Sequence, residues 1–290
     1  MGCKGAGRQS AALRDPGRRA AAERPAYANI NRRTLDRSPT GFAASVRDAV
    51  AAGYTAFKIA PFDDLSAAMP DAEANPLIEA GIARTAAVRE AIGPDARLMV
   101  DCHWRFNEAS ARHCIDGLAG LNLHWFECPI AESVETLDAL KRLRAHANAA
   151  GMRLTGLEME IRREGFRPFL EAGAYDVMMP DAKYAGGPAE MLRIAEEFGR
   201  FGVEFSPHNP SGPICHAQSL HIALAAPTLD ALELQFDETP LFDALVGKAL
   251  PEAKGGAFAA SDAGSPGIGA AFSIAVTMDL ESVAHWHSNV

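Results

Sequence analysis

Ionisable side chains recur in this chain one step beyond short apolar runs. In order they are Lys58, Asp101 with His103, Glu127, Glu158, Asp181 with Lys183, His208 and Glu233. Charges scattered by chance fall on helix surfaces, whereas a repeated place at strand ends reads as one site. Three of the acids close consecutive runs: Leu98-Met99-Val100 before Asp101, Trp125-Phe126 before Glu127, and Leu154-Thr155-Gly156-Leu157 before Glu158. If these runs are neighbouring strands of a closed parallel barrel, the three carboxylates converge on one point. Ionised carboxylates share a point only when a cation sits between them.

The elements that would position them alternate along the chain. Strands are expected at Ala26–Asn31, Tyr54–Ile59, Leu98–Asp101, Leu123–Glu127, Arg153–Leu157, Asp176–Met179, Val203–Ser206 and Leu232–Gln235. Helical segments separate them, the first over Phe42–Ala52 with Gly53 in the usual C-terminal cap position. Eight strands alternating with helices over about 210 residues matches a TIM-like (β/α)7β barrel. The rival, an open doubly wound sheet, calls for a glycine-rich phosphate loop after the first strand, and none is present.

Composition sets the outer bounds. The chain has 290 residues, 48% of them hydrophobic, enough for one large core. A formal charge of −9 argues against a nucleic-acid partner. No apolar run approaches the roughly 18 residues of a membrane helix, and the arginine-containing start has no apolar core of a secretory signal. The five cysteines, Cys3, Cys102, Cys114, Cys128 and Cys215, lack metal-finger spacing, which fits reduced thiols and a cytoplasmic setting. Cys102 and Cys128, beside two of the acids, are expected to face the helix layer as small packing residues.

Six sequence pieces, in order, carry a resemblance: Phe57-Lys58-Ile59-Ala60-Pro61, Asp101-Cys102-His103-Trp104, Trp125-Phe126-Glu127-Cys128-Pro129, Arg163-Glu164-Gly165-Phe166, Pro180-Asp181-Ala182-Lys183 and Ser206-Pro207-His208-Asn209-Pro210. Over about Pro25 to Ala271 the chain resembles the barrel domain of the enolase superfamily, in its mandelate racemase and muconate-lactonising branch. The resemblance implies that Asp101, Glu127 and Glu158 bind Mg2+, whose preference for hard oxygen ligands suits them. The family usually has glycine before the third ligand where this chain has Leu157, and Glu160 is kept as an alternative ligand. His208 resembles the general base and Asp181 its orienting partner. Enolase-superfamily sites are a known case of a Lys or His base working with magnesium, so that pairing comes from the resemblance.

Lys58 matches the first lysine of the family's Lys-x-Lys pair, but Ala60 stands where the second would be. Lys58 is left as an acid, a base or a holder of the substrate carboxylate. Glu233 resembles a carboxyl group that hydrogen-bonds the enolate oxygen. For His103 two readings stand together: a catalytic histidine as in some acid-sugar dehydratases, or a hydrogen-bonding histidine at a strand end. The implied activity is Mg-dependent removal of the α-proton of a carboxylate, with dehydration or cycloisomerisation of a small sugar acid, galactonate-like. Residues 1–24 are expected to be a lead-in or the remnant of an α+β capping domain, 25–254 the barrel, and 255–290 a tail that packs on such a cap. With the cap largely absent, the second reading is a truncated, non-catalytic barrel, or a subunit completed by another chain. The exposed apolar rim predicts association, as in a homo-oligomer.

Overall fold

The computed structural model describes residues 23–246 and 250–259, so the expected lead-in up to residue 22 and the tail beyond 259 lie outside it. Eight strands run parallel: β1 (Glu23–Asn29), β2 (Ala56–Ile59), β3 (Arg97–Asp101), β4 (Leu123–Glu127), β5 (Arg153–Gly156), β6 (Val177–Met178), β7 (Glu204–Phe205) and β8 (Leu232–Gln235). Helices α1 (Pro39–Ala51), α2 (Asp71–Ile92), α3 (Glu108–Leu118), α4 (Leu137–Ala149), α5 (Arg162–Ala172), α6 (Pro188–Arg200) and α7 (Pro213–Ala225) fill the intervals. A short helix α8 (Leu241–Val246) follows β8, and β9 (Ala257–Ala259) pairs antiparallel with the start of β1.

From β1 to β7 each strand pairs with the next, and β1 also pairs with β8. The ring closes at a single point, where Phe205 of β7 bridges Leu229, just ahead of β8. Its N–H donates to Thr228 O at 2.9 Å and its carbonyl accepts from Asp230 N at 2.8 Å. This is the TIM-like (β/α)7β barrel that the alternation predicts.

Strand alternation sorts the side chains into two layers. Phe57, Leu98, Val100, Phe126 and Leu154 point outward and pack with helix residues such as Phe42, Val46, Ile78, Ile115 and Leu143. Tyr27, Met99, Trp125, Val177 and Met179 fill the barrel interior. The Tyr27 and Trp125 rings meet edge to face at 5.5 Å, a favoured aromatic geometry. That plug closes the barrel below the mouth, so the next inward residues along each strand sit above an apolar floor.

The helix boundaries follow local chemistry. Ser38 caps α1 by accepting from Gly41 N, with Pro39 at the first helical position. Gly53, at φ 92°, continues the chain past α1 in a conformation that costs glycine little. Four strands are shorter than expected: β2 starts at Ala56 rather than Tyr54, β5 ends at Gly156 rather than Leu157, and β6 and β7 have two residues each in place of Asp176–Met179 and Val203–Ser206. Apolar runs report burial, while strand length also needs ladder partners on both sides.

Candidate active site

Five inward positions collect at the C-terminal ends of the strands: Asn29 on β1, Lys58 on β2, Asp101 on β3, Glu127 on β4 and Glu233 on β8, all buried. Lys58 Nζ lies 2.7 Å from Glu127 Oε1, 2.9 Å from Glu233 Oε1 and 4.0 Å from Asp101 Oδ2. Trp125 Nε1 donates to the other oxygen of Glu127 at 2.9 Å. Asn29 Nδ2 and the Asn209 N–H donate to Glu233 at 2.9 and 2.8 Å. Burial works against the Lys58 charge, but Glu127 and Glu233 outweigh it and hold its proton well above the usual lysine value.

Glu233 is driven down to about 2: burial opposes ionisation, and Lys58, His208 and Asn29 overcome it. An ionised Glu233 accepts hydrogen bonds and cannot donate one. Here it accepts from Lys58, which it anchors at 2.9 Å.

The candidate base His208 and its partner Asp181 lie beyond the two short strands. An isolated parallel bridge joins Asp181 to His208 just past β6 and β7. Asp181 Oδ2 lies 3.0 Å from His208 Nδ1, and Glu158 Oε2 lies 3.3 Å from Nε2. Burial lowers the affinity of His208 for a proton, yet Glu158 and Asp181 reverse this and the net shift is upward. Lys183 Nζ sits 3.4 Å from Asp181 Oδ2, so it belongs to the same cluster.

Of the two glutamates weighed for the third carboxylate, Glu158 is buried beside His208, whereas Glu160 is half-buried against Gly165 at the start of α5. Leu157 has φ 69°, a left-handed conformation that bulky L-residues avoid. The bend breaks strand alternation and swings Glu158 into the mouth. A glycine at this point would adopt it freely, which is the physical meaning of the glycine usual there.

His103 also reaches the site by a turn rather than along a strand. The strand ends at Asp101, His103 has φ 48°, and its Nε2 lies 2.9 Å from Asp101 Oδ2. Asp101 raises the His103 pKa. Burial pushes the Asp101 carboxyl up, but His103 and then Lys58 hold it well below the usual carboxylate range. Cys102 lies in the sheet–helix core as expected. Cys128 departs from expectation: at φ 45° its sulfur turns toward Glu132, 3.9 Å away, and lies near Glu127 and Glu158.

Sequence reasoning missed three further groups, Asn29, Asn209 and Glu132. Asn29 ends β1 as the acids end the other strands, so its position was the signal. Glu132 lies in the loop after β4 and accepts from Trp104 Nε1 at 2.8 Å, Leu157 N at 2.8 Å and Tyr175 Oη at 2.7 Å. Burial raises it to about 7, against the pull of these donors.

The donor set suits a hard divalent cation. Glu158 Oε2 is buried without a hydrogen bond. Glu127 is pushed well above its usual value, first by burial and then, against Lys58, by Asp101, Glu158 and Glu233. Ligand atoms of Glu127, Cys128 and Glu158 lie within 4.8 Å of one another, while Asp101 faces His103. Oxygen from carboxylates in excess of nearby positive charge is what magnesium takes.

Comparison with known proteins agrees with this architecture. A D-gluconate dehydratase of Thermoproteus tenax is 30% identical over 205 residues, 70% of this chain and 39% of that protein. A D-galactarolactone cycloisomerase of Agrobacterium fabrum is 34% identical over 201 residues, 66% of this chain and 51% of that protein. A D-galactonate dehydratase of Ralstonia pickettii is 30% identical over 188 residues, 63% and 46% of the two chains. The chain thus spans about half or less of the length of these relatives. Among solved structures, a mandelate racemase/muconate lactonizing enzyme from Jannaschia sp. superposes with a TM-score of 0.78 at 26% identity, covering 95% of this chain and 68% of that one. A similar protein from Rubrobacter xylanophilus gives 0.76 at 26% identity, with 95% and 71% covered. The family profile described as Enolase C-terminal domain-like matches residues 41–276, and the chain belongs to that family within the enolase superfamily.

Proposed function

We propose that this barrel removes the α-proton of a small sugar-acid carboxylate with the aid of Mg2+ held by Asp101, Glu127 and Glu158, and that dehydration or cycloisomerisation follows. The observation that carries the reading is His208, set between Asp181 at 3.0 Å and the candidate ligand Glu158 at 3.3 Å. Bound magnesium would polarise the substrate carboxylate and make the neighbouring C–H bond more acidic. With its proton assigned to Nδ1 and held by Asp181, His208 presents the Nε2 lone pair to the mouth. The C–H electrons pass into the carbon skeleton as Nε2 takes the proton. Lys58, fixed by Glu127 and Glu233, donates to the carboxylate oxygen on which charge grows.

For dehydration, His103 gives its proton to the departing β-hydroxyl, a role that Asp101 favours by raising its pKa. The named relatives, D-gluconate and D-galactonate dehydratases and a D-galactarolactone cycloisomerase, support a sugar-acid substrate. The test is α-proton exchange in heavy water, with Mg2+ and a panel of six-carbon sugar acids, for the native chain and His208→Asn. Exchange by the native chain that is lost in the variant is expected. Exchange that persists in His208→Asn would sink this assignment of the base.

A second reading is a barrel that acts only when another polypeptide segment covers its mouth. It is favoured by exposed apolar residues that follow β1, β5 and β7: Leu35 at 90% and Ile161 at 65% exposure in loops, and Ile214 at 50% in the first turn of α7. Exchange by the native chain alone would remove it.

A further inference from the structure

Glu132 is a carboxylate near the mouth that touches no group assigned above to the chemistry. Its two oxygens collect donors from three separate segments: the indole of Trp104 after β3, the N–H of Leu157 after β5, and the hydroxyl of Tyr175 just before β6. The Cys128 sulfur approaches the same carboxylate at 3.9 Å from the end of β4. The packing around it is built for this contact. A Cβ on Gly156 would collide with Glu132 Oε1 and lie 3.1 Å from the Tyr175 ring, so only glycine leaves the carboxylate its place.

We propose that Glu132 is a positioning residue for the third metal ligand. It holds Leu157 in its left-handed bend through the amide hydrogen bond, and that bend aims Glu158 into the mouth. Leu157 at φ 69° has no intrinsic reason to stay there. Its buried side chain anchors one side of the bend, and Glu132 anchors the peptide N–H on the other. The same carboxylate pins Trp104, whose neighbour His103 contacts the first ligand, Asp101, at 2.9 Å. One group thus fixes the loop that carries Glu158 and the loop that follows Asp101. Partners behind metal ligands commonly change affinity by roughly 10–100-fold when removed.

This inference rests on the magnesium reading for its first readout and not for its second. Calorimetric Mg2+ titration of the native chain, Glu132→Gln and Leu157→Gly is compared with Glu132→Gln in the Leu157→Gly background. A loss of roughly 10-fold or more in Glu132→Gln, shrinking to a few-fold once residue 157 is glycine, is expected. A purely structural role would lower the melting temperature and leave affinity unchanged, and an affinity within twofold of native overturns the proposal. If Glu132→Gln does not fold, Tyr175→Phe, which removes one anchor of the carboxylate, takes its place with a smaller loss expected. If the native chain binds no Mg2+, the magnesium reading has failed. Hydrogen exchange at the Leu157 amide then decides the clamp: faster exchange in the variant supports it, and unchanged exchange refutes it.

Discussion

The two ends of the barrel are both rich in charge, yet they are built on opposite principles. At the N-terminal end, Asp230 accepts from Arg153 at 2.8 Å, lies 3.2 Å from His124 and has Arg97 at 3.7 Å, while Arg153 also pairs with Glu204. Two arginines meet two carboxylates, and each group has its partner. At the C-terminal end, five carboxylates, Asp101, Glu127, Glu158, Asp181 and Glu233, face Lys58, Lys183 and two histidines. Even with both histidines protonated the mouth is short of positive charge, and one oxygen of Glu158 has no hydrogen bond.

Backbone strain divides in the same way. Of the seven non-glycine residues at positive φ among the described residues, His103, Trp104, Cys128, Leu157, Arg162 and Asp237 follow C-terminal strand ends, and only Asn122 precedes a strand. A cluster that neutralises itself closes a barrel. One that does not is waiting for a ligand, and strain concentrated beside it is the usual companion of function.

The contrast can be broken by exchanging the two ends' expected responses. The largest effect belongs to Glu127→Gln. Mg2+ binding should weaken more than about 100-fold, as expected when a first-rank carboxylate ligand is removed, with the melting temperature nearly unchanged because an excess buried charge goes with it. Calorimetry and thermal melts on one preparation read both. Asp230→Ala should behave in the opposite way, costing about 3–5 kcal/mol because Arg153 and His124 lose the acid that pairs them. The part that stays folded should bind Mg2+ as before. Equal loss of binding in both variants would mean that the ends are not separable.

A third experiment sharpens the comparison through two histidines. His208, beside carboxylates, has its pKa raised, whereas His216, buried next to Asn209, Phe242 and Phe258, is lowered to about 4. The unfolded chain titrates this group near roughly 6.5, so it binds more protons than the folded chain between the two values. The His216 contribution is complete above about pH 6.5 and is lost as the pH falls toward 4, at most about 3 kcal/mol. Urea unfolding at pH 7 and pH 4.5 should show a fall that His216→Phe flattens. The smallest effect is at the rim surface: Leu35→Ser should change stability by no more than about 0.5 kcal/mol. If the apolar rim mediates association, sedimentation should show less of it in this variant.

The alternation of strands and helices made the barrel legible, because apolar runs of strand length separated by amphipathic segments have few other closures. The inward acids were legible for the same reason, each ending such a run. What escaped was set by backbone bends and loops. Cys128 was assigned to the helix layer by alternation, but the strand stops at Glu127 and φ 45° turns the thiol toward the acids. Leu157 read as a departure from a familiar glycine, and only its dihedral shows why glycine is usual there. Glu132 sits in a loop where one acid looks like any other, and its meaning lies in donors that arrive from distant segments. The ionised state of Glu233 follows from Lys58 at 2.9 Å, a distance no sequence carries.

The single bridge that closes the ring at Phe205 has a kinetic corollary. A closed barrel opens at its thinnest join, and here β6 and β7 have two residues each, with one residue linking β7 to the approach of β8. His208 and Asp181 lie just past those short strands, while Lys58, Asp101 and Glu127 stand on the longer strands across the mouth. Local opening should therefore start on the side that carries His208, and amide exchange at Phe205 and Ser206 should outpace that at Val100 and Phe126. The proton-moving half of the mouth would then breathe against a fixed charged half, and a ligand that spans both would slow the seam.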